Sequence, residues 1–66
     1  MEVTVNGTQR HLAEGQTLAD LLAELGAAPE HVAVEHNGAI LDRADFPGLV
    51  LRPADRLEIV RFVGGG

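Results

Sequence analysis

The residues with the clearest chemical potential stand at the end of the sequence, where three glycines follow a hydrophobic segment, RFVGGG. Gly64, Gly65 and Gly66 have no Cβ and can thread a narrow channel, and three extended residues reach about 10 Å. The carboxylate of Gly66 is a poor acyl donor until it is activated, for example as an acyl-adenylate. One hypothesis is therefore that this carboxylate is the reactive group. The alternative is an inert, flexible terminus.

The other residue types that could do chemistry show no catalytic or metal-binding spacing. His11, His31 and His36 match no zinc pattern, and the sequence has no cysteine to complete one. Serine is absent, which excludes a serine nucleophile. Asp42 and Asp45 lie in a predicted loop, where paired acids are more typical of turns than of acid–base catalysis. We therefore expect no metal site and no catalytic side chain.

Size and charge narrow the function classes further. The chain has 66 residues, which predicts one domain over 1–66. A chain of this size buries only about 60% of its unfolded surface, so an enclosed cleft is not expected. The net charge of −5 disfavours nucleic-acid binding and fits a partner with a basic docking face. The sequence has no membrane-length apolar run and no signal-peptide pattern, and the lack of cysteine favours the cytoplasm.

The first half of the sequence predicts a hairpin followed by a helix. Asn6-Gly7 suits a type I′ turn between strands at residues 2–5 and 8–12. Thr17 has the character of an N-cap, and Asp20 can complete a capping box. The helix then places one apolar stripe on a sheet and ends at Gly26; the stripe comprises Leu18, Leu21, Leu22 and Leu25.

The second half predicts three more strands. Residues 31–35 and 39–41 flank a second tight turn at Asn37-Gly38, residues 42–53 are irregular, and the last strand covers 56–63. Within the irregular segment, three residues are expected to close the end of the core: Phe46, Leu49 and Leu51. Pro53 begins a turn that leads into the last strand.

The last strand has two different faces because side chains alternate along a strand. Leu57 and Ile59 share the face that we assign to the core under the helix. Glu58, Val60 and Phe62 share the other face, where apolar side chains beside a tail suggest a partner-docking patch. The competing interpretation is that scattered surface hydrophobic residues are normal.

The order strand, strand, helix, strand, strand, strand predicts an α+β fold with about five strands in a mixed sheet packed on one helix. The last strand is expected at or near the centre because it is the longest and most apolar. By analogy with this order, it would lie parallel to the first strand, as in the β-grasp or ubiquitin-like arrangement.

Over its whole length the sequence resembles the ThiS family, the sulfur carriers of thiamine biosynthesis. The resemblance rests on the opening MEVTVNG, the segments EGQTLADLLAELG, VAVEHNGAIL and RLEIVRFV, and the terminal glycines. One departure precedes the last strand: the family usually has Gly-Asp there, and this chain has Ala54-Asp55. The departure puts the geometry of that turn in question.

The resemblance implies a function. A ThiF-type enzyme would adenylate the Gly66 carboxylate with ATP and magnesium, sulfur would replace one oxygen, and the resulting thiocarboxylate would supply the thiazole synthase ThiG. The carrier itself would bind no cofactor and catalyse nothing alone. The alternatives are a carrier for molybdopterin, tRNA thiolation or cysteine synthesis, and a non-covalent interaction module.

Overall fold

The computed structural model describes residues 1–62, and its elements follow the predicted order. The strands and the helix are β1 (Glu2–Val5), β2 (Thr8–His11), α1 (Leu18–Glu24), β3 (Val32–His36), β4 (Ala39–Ile40) and β5 (Arg56–Arg61). Two 3-10 helices, Pro29–His31 and Arg43–Gly48, precede β3 and follow β4. The predictions for Val63 and for Gly64, Gly65 and Gly66 lie outside the described residues.

The five strands form one sheet in the order β2-β1-β5-β3-β4. The central strand is β5, which runs parallel to β1 and antiparallel to β3. The other two pairs, β1 with β2 and β3 with β4, are antiparallel hairpins. The predicted β-grasp arrangement is therefore confirmed, including the central position of the last strand and its parallel pairing with the first.

The helix begins and ends as its sequence predicts. Thr17 accepts a hydrogen bond from the backbone N–H of Asp20, and the Asp20 carboxylate accepts one from the N–H of Thr17. At the other end Gly26 has φ +69°, its N–H bonds to Ala23 O, and the N–H of Ala27 bonds to Leu22 O. This is a Schellman motif, which ends the helix and satisfies its last carbonyls.

The core lies between α1 and one face of the sheet. Its fully buried members include the leucines of α1 and alternate residues of the strands, namely Val3, Leu18, Leu21, Leu22, Val34 and Leu57. Phe46 and Leu51 close one end as predicted, whereas Leu49 and Leu25 are only partly buried. Leu25 is the C-cap residue of α1.

Several predicted boundaries were wrong by one or two residues or by type. β2 ends at His11, β3 at His36 and β5 at Arg61, whereas the predicted ends were residues 12, 35 and 63. β3 begins at Val32, not at residue 31, because Pro29 starts a 3-10 turn that includes His31. β4 ends at Ile40, and Leu41 keeps one hydrogen bond to Val34 O as the chain leaves the sheet. Part of the segment predicted to be irregular forms the 3-10 helix Arg43–Gly48, in which the N–H of Asp45 bonds to Asp42 O.

Candidate functional site

The outer face of β5 is open, as the strand alternation predicts. Leu57 and Ile59 are buried under the helix, and Glu58 points away from the core and is exposed. Val60 is 61% exposed and Phe62 is 46% exposed. The placement of the predicted partner-binding residues on one uncovered face is therefore confirmed, while their role in binding stays a prediction.

Neighbouring strands enlarge this apolar surface. Ala33 lies opposite Val60 across the β3–β5 pair, and Ile40 on β4 is 79% exposed. Together with Phe62 they form what we call the open-face patch, defined by Ala33, Ile40, Val60 and Phe62. The sequence did not single out Ala33 or Ile40, because their position beside β5 depends on strand order.

Two carboxylates border the open-face patch. Glu35 and Glu58 lie directly opposite each other in the register of β3 and β5. Like charges in directly opposed positions destabilise a sheet. A basic group from a partner would relieve this repulsion, which agrees with the basic docking face expected from the net charge.

The start of β5 is held by a cluster of polar side chains around Asp55. Asp55 is only 7% exposed, and its carboxylate accepts hydrogen bonds from the N–H of Arg52 at 2.9 Å and from Asn37 Nδ2 at 3.1 Å. His36 Nε2 lies 3.1 Å from the same carboxylate. Burial by itself raises the pKa of Asp55, but these three partners outweigh it and hold the pKa below its ordinary value.

The two Asn-Gly turns contribute more than turn geometry. Asn37 Oδ1 accepts a hydrogen bond from the N–H of Arg56 at 2.8 Å. On the other side of β5, Asn6 Oδ1 accepts from the N–H of Ile59 at 2.7 Å and Asn6 Nδ2 donates to Ile59 O at 3.0 Å. Each asparagine therefore fixes β5 from one flank, a role that the sequence alone did not reveal.

The last described residues are also anchored. The N–H of Phe62 donates to His31 O at 3.0 Å, and Arg61 Nη2 donates to Leu25 O at 2.9 Å, near the end of the helix. The chain thus reaches residue 62 in a defined direction at the edge of the open-face patch. The predicted reactive residue, Gly66, lies outside the described part.

The three histidines do not meet. His11 is exposed and pairs with Glu2 at 2.7 Å, His31 is exposed, and His36 contacts Asp55. Within residues 1–62, no group of three or more histidines and acids is arranged to hold a metal ion. The same described residues contain no helix of the length and apolar character needed to cross a membrane.

Comparison with known proteins places this geometry in a family. The model of the ThiS family matches residues 3–66, which is nearly the whole chain. The chain belongs to the ThiS family. Among solved structures, the thiamine biosynthesis protein ThiS from Geobacter metallireducens superimposes with a TM-score of 0.83 at 38% identity, with all of both chains covered.

Two curated relatives are much longer proteins. A thiazole synthase from Magnetococcus marinus is 44% identical over 66 residues, and one from Paramagnetospirillum magneticum is 38% identical over 66 residues. Each match covers all of this chain but only 20% of the relative. The ThiS-family chain therefore spans about a fifth of these two proteins.

The departure from the family at Ala54 leaves the turn intact. Ala54 has φ +71°, the left-handed conformation that glycine adopts most readily. Its N–H still donates to Glu2 O at 2.8 Å, and Asp55 still reaches its partners. This ThiS-family member therefore keeps the backbone path and accepts strain at one alanine.

Proposed function

We propose that this chain is a sulfur carrier of thiamine biosynthesis whose reactive group is the carboxylate of Gly66. In the first step, a carboxylate oxygen attacks the α-phosphate of ATP in a ThiF-type enzyme, and pyrophosphate leaves. In the second, hydrosulfide attacks the acyl carbon, the bond to AMP breaks, and AMP leaves. The resulting thiocarboxylate gives its sulfur to a thiazole synthase. ATP and magnesium belong to the activating partner, and the carrier is its substrate.

The observation that carries this proposal is the family match, which runs to the last residue and so includes the terminal glycines. The two thiazole synthases support the choice of acceptor, because their sequences contain a segment similar to this whole chain. Joining a donor domain to the enzyme that uses it raises their effective concentration. Thiazole synthase is therefore the favoured acceptor among the possible sulfur-using enzymes.

In the proposal, the open-face patch docks the carrier on its enzymes while the tail enters their active sites. Val60 lies on β5, Phe62 directly follows this strand towards the tail, and Glu58 lies beside them. Four residues follow Phe62, and four extended residues span at most about 14 Å. The patch must therefore bind close to the entrance of the active site, which links docking to catalysis.

Intact-mass spectrometry tests the chemistry directly. The carrier is incubated with its activating enzyme, ATP, magnesium and a sulfur donor, and the expected product is heavier by one oxygen-to-sulfur exchange. Fragmentation should place the exchange at Gly66. A variant that lacks Gly65 and Gly66 is the matched control and should remain unmodified. An unmodified wild-type chain in the presence of an active enzyme would contradict the proposal.

Adding thiazole synthase to the modified carrier distinguishes the pathways. The expected outcome is loss of the thiocarboxylate and appearance of the thiazole product. A thiocarboxylate that forms but is not consumed would point to a different acceptor. If neither step occurs and partners still bind the tail-deleted variant, the chain acts as a non-covalent interaction module.

Docking is tested by Phe62→Asp, which places a charge in the open-face patch. We expect affinity for the activating enzyme to fall by about tenfold to a hundredfold, because a desolvated aromatic contact is lost. Val50→Asp is the matched control, since Val50 is 50% exposed but bridges to Thr17 on another part of the surface. Equal affinities for the Phe62→Asp variant and wild type would remove Phe62 from the interface.

A further inference from the structure

The edge of β5 that faces β1 is only partly covered. β1 pairs with β5 at Thr4 with Arg56 and at Val5 with Leu57, and then turns away. Asn6 continues the pairing with its side chain, which bonds both the N–H and the C=O of Ile59. The side-chain amide of Asn6 thus takes the place of one further peptide unit of β1.

Beyond Asn6 this edge is open. The N–H of Phe62 points to β3, where it bonds to His31 O, so the neighbouring Arg61 directs its backbone groups to the opposite side. Among residues 1–62, no backbone or side-chain partner bonds to the N–H or C=O of Arg61 on that side. An open strand edge of this kind is a template for another strand.

A groove of about 270 Å³ lies beside this open edge on the helix side of the sheet. Its lining combines apolar and cationic side chains: Val5, Asn6, Thr8, Arg10, Leu25, Ala27, Ile59 and Arg61. No carboxylate residue belongs to that lining. The groove is therefore locally positive in a chain whose net charge is −5.

Both arginines retain unused hydrogen-bonding capacity. Arg10 lies opposite Val3, which turns it to the helix side, and its buried Nε has no hydrogen-bond partner among the described residues. Arg61 uses Nη2 to bond Leu25 O. A guanidinium has five N–H donors in a planar fork that matches a carboxylate. The groove thus offers two carboxylate-binding forks next to free backbone groups.

We propose that this edge and groove bind an extended, acidic segment of a protein partner, which adds as a strand beside β5 at Arg61. Its backbone would pair with Arg61, its apolar side chains would enter the groove, and its carboxylates would meet Arg10 and Arg61. An acidic segment is repelled by most of this negatively charged chain, so the two arginines determine where it binds. The inference is independent of the chemistry proposed for Gly66.

Nuclear magnetic resonance titration of the full-length ¹⁵N-labelled chain provides the test. The probe is a short blocked peptide with threonine at every second position and valine and glutamate taking turns at the positions between. Because side chains alternate along a strand, its valines and glutamates then share the face that meets the groove and the two arginines. We expect saturable shifts of the backbone amides of Ile59 and Arg61 and of the Asn6 side-chain amide. Arg10→Gln should weaken binding by about threefold to tenfold, and added sodium chloride should weaken it as well.

Arg56→Gln is the matched control because it changes the net charge equally but alters an arginine outside the groove. Its affinity for the peptide should equal that of the wild type. Arg61→Gln is a second test, and thermal unfolding shows whether loss of the bond to Leu25 O disturbs the fold. If Arg61→Gln destabilises the fold, the peptide affinities of Arg10→Gln and the milder Arg10→Lys are compared with that of the wild type instead.

Four outcomes would overturn the proposal. A peptide with glutamine in place of glutamate could bind equally well, which would remove the requirement for acid. Inorganic phosphate could produce the same shifts and compete, which would identify a small-anion site. The shifts could map to Ala33, Ile40 and Val60 instead, or they could appear without peptide as protein concentration rises, which would identify a second copy of the chain as the occupant.

Discussion

The two ends of β5 are held in different ways. At its start, Asp55 is buried and accepts hydrogen bonds from Arg52 and Asn37, and β5 is paired with strands on both flanks. At its end, β1 has already turned away, and Asn6 supplies the last contact on that flank at Ile59. The strand is thus fixed on two sides where it enters the sheet and mainly on one side where it leaves.

The residues that stabilise the fold and those available to partners thus lie at opposite ends of β5. A buried, charge-assisted network specifies the register of β5, since its groups would be left unpaired in any other register. The far end retains exposed apolar side chains and free backbone groups, which are the features that partners use. Under the function proposed for Gly66, this arrangement lets partner contacts form at the end of β5 without disturbing the anchor at its start.

The largest expected effect comes from removing the anchor. Asp55→Ala leaves the N–H of Arg52 and Asn37 Nδ2 without their acceptor. We expect a loss of about 2–3 kcal/mol in the free energy of unfolding, the range for charge-assisted buried hydrogen bonds. Urea unfolding measures it, with Asp45→Ala as the control, because Asp45 is exposed and its substitution should change stability by less than about 0.5 kcal/mol. Equal effects of the two substitutions would refute the anchor.

The two asparagines give the next comparison, with smaller effects. Asn6 and Asn37 have φ of +49° and +50°, so glycine can replace either without backbone strain; each substitution removes the side-chain bonds and adds the same unfolded-chain entropy. Asn6→Gly should lower the free energy of unfolding by about 1–2 kcal/mol, and Asn37→Gly by a similar or larger amount because one of its bonds goes to a carboxylate.

Hydrogen exchange separates the two ends more sharply than global stability does. Asn6→Gly should accelerate exchange at Ile59, whose N–H then loses its acceptor, more than at Arg56. Asn37→Gly should reverse that order, since the N–H of Arg56 bonds to Asn37 Oδ1. A uniform change across β5 in both variants would show that its ends are not held independently.

Acid should weaken the anchor in a predictable direction. The pKa of Asp55 in the folded chain lies below its ordinary value, so the unfolded chain binds this proton more readily. The stability that the carboxylate supplies is therefore complete above the unfolded-state pKa of about 3.9 and is lost as pH falls through the lower folded-state pKa.

Asp55→Asn provides the measurement. Its stability deficit relative to wild type should be largest at about pH 5 and should shrink as the pH falls through the lowered folded-state pKa, because the wild-type carboxyl then becomes neutral as well. Chemical unfolding at several pH values gives the curve. A deficit that stays constant with pH would mean that the charge of Asp55 does not contribute to the anchor.

Much of the fold could be predicted because local signals agreed with one another. The capping box at Thr17, the leucine stripe and the αL position of Gly26 all predicted the same helix, and the structure confirms it. Alternation along residues 57–62 predicted both faces of β5. These signals act over a few residues, so the sequence displays them directly.

The features that the sequence did not predict depend on contacts between residues far apart in the chain. Asn6 and Ile59 are 53 positions apart, and Asn37 and Asp55 are 18 apart, so nothing local announces either pair. Ala33 and Ile40 joined the open-face patch only once the order of β3, β4 and β5 was known. The roles proposed for Gly64, Gly65 and Gly66 stay predictions, since they concern residues beyond 62.

The smallest expected effect concerns Ala54, in the turn that leads into the anchor. Its φ of +71° costs a non-glycine residue about 1–2 kcal/mol, and glycine removes that strain but adds about 0.4–1 kcal/mol of unfolded-chain entropy. Ala54→Gly should therefore raise the free energy of unfolding by about 0.5 kcal/mol. Ala23→Gly is the control: Ala23 is exposed within α1 and has a helical backbone, so glycine relieves no strain there and the variant should be destabilised. Thermal unfolding measures the stability of both variants. A destabilised Ala54→Gly variant would mean that the turn holds alanine without strain.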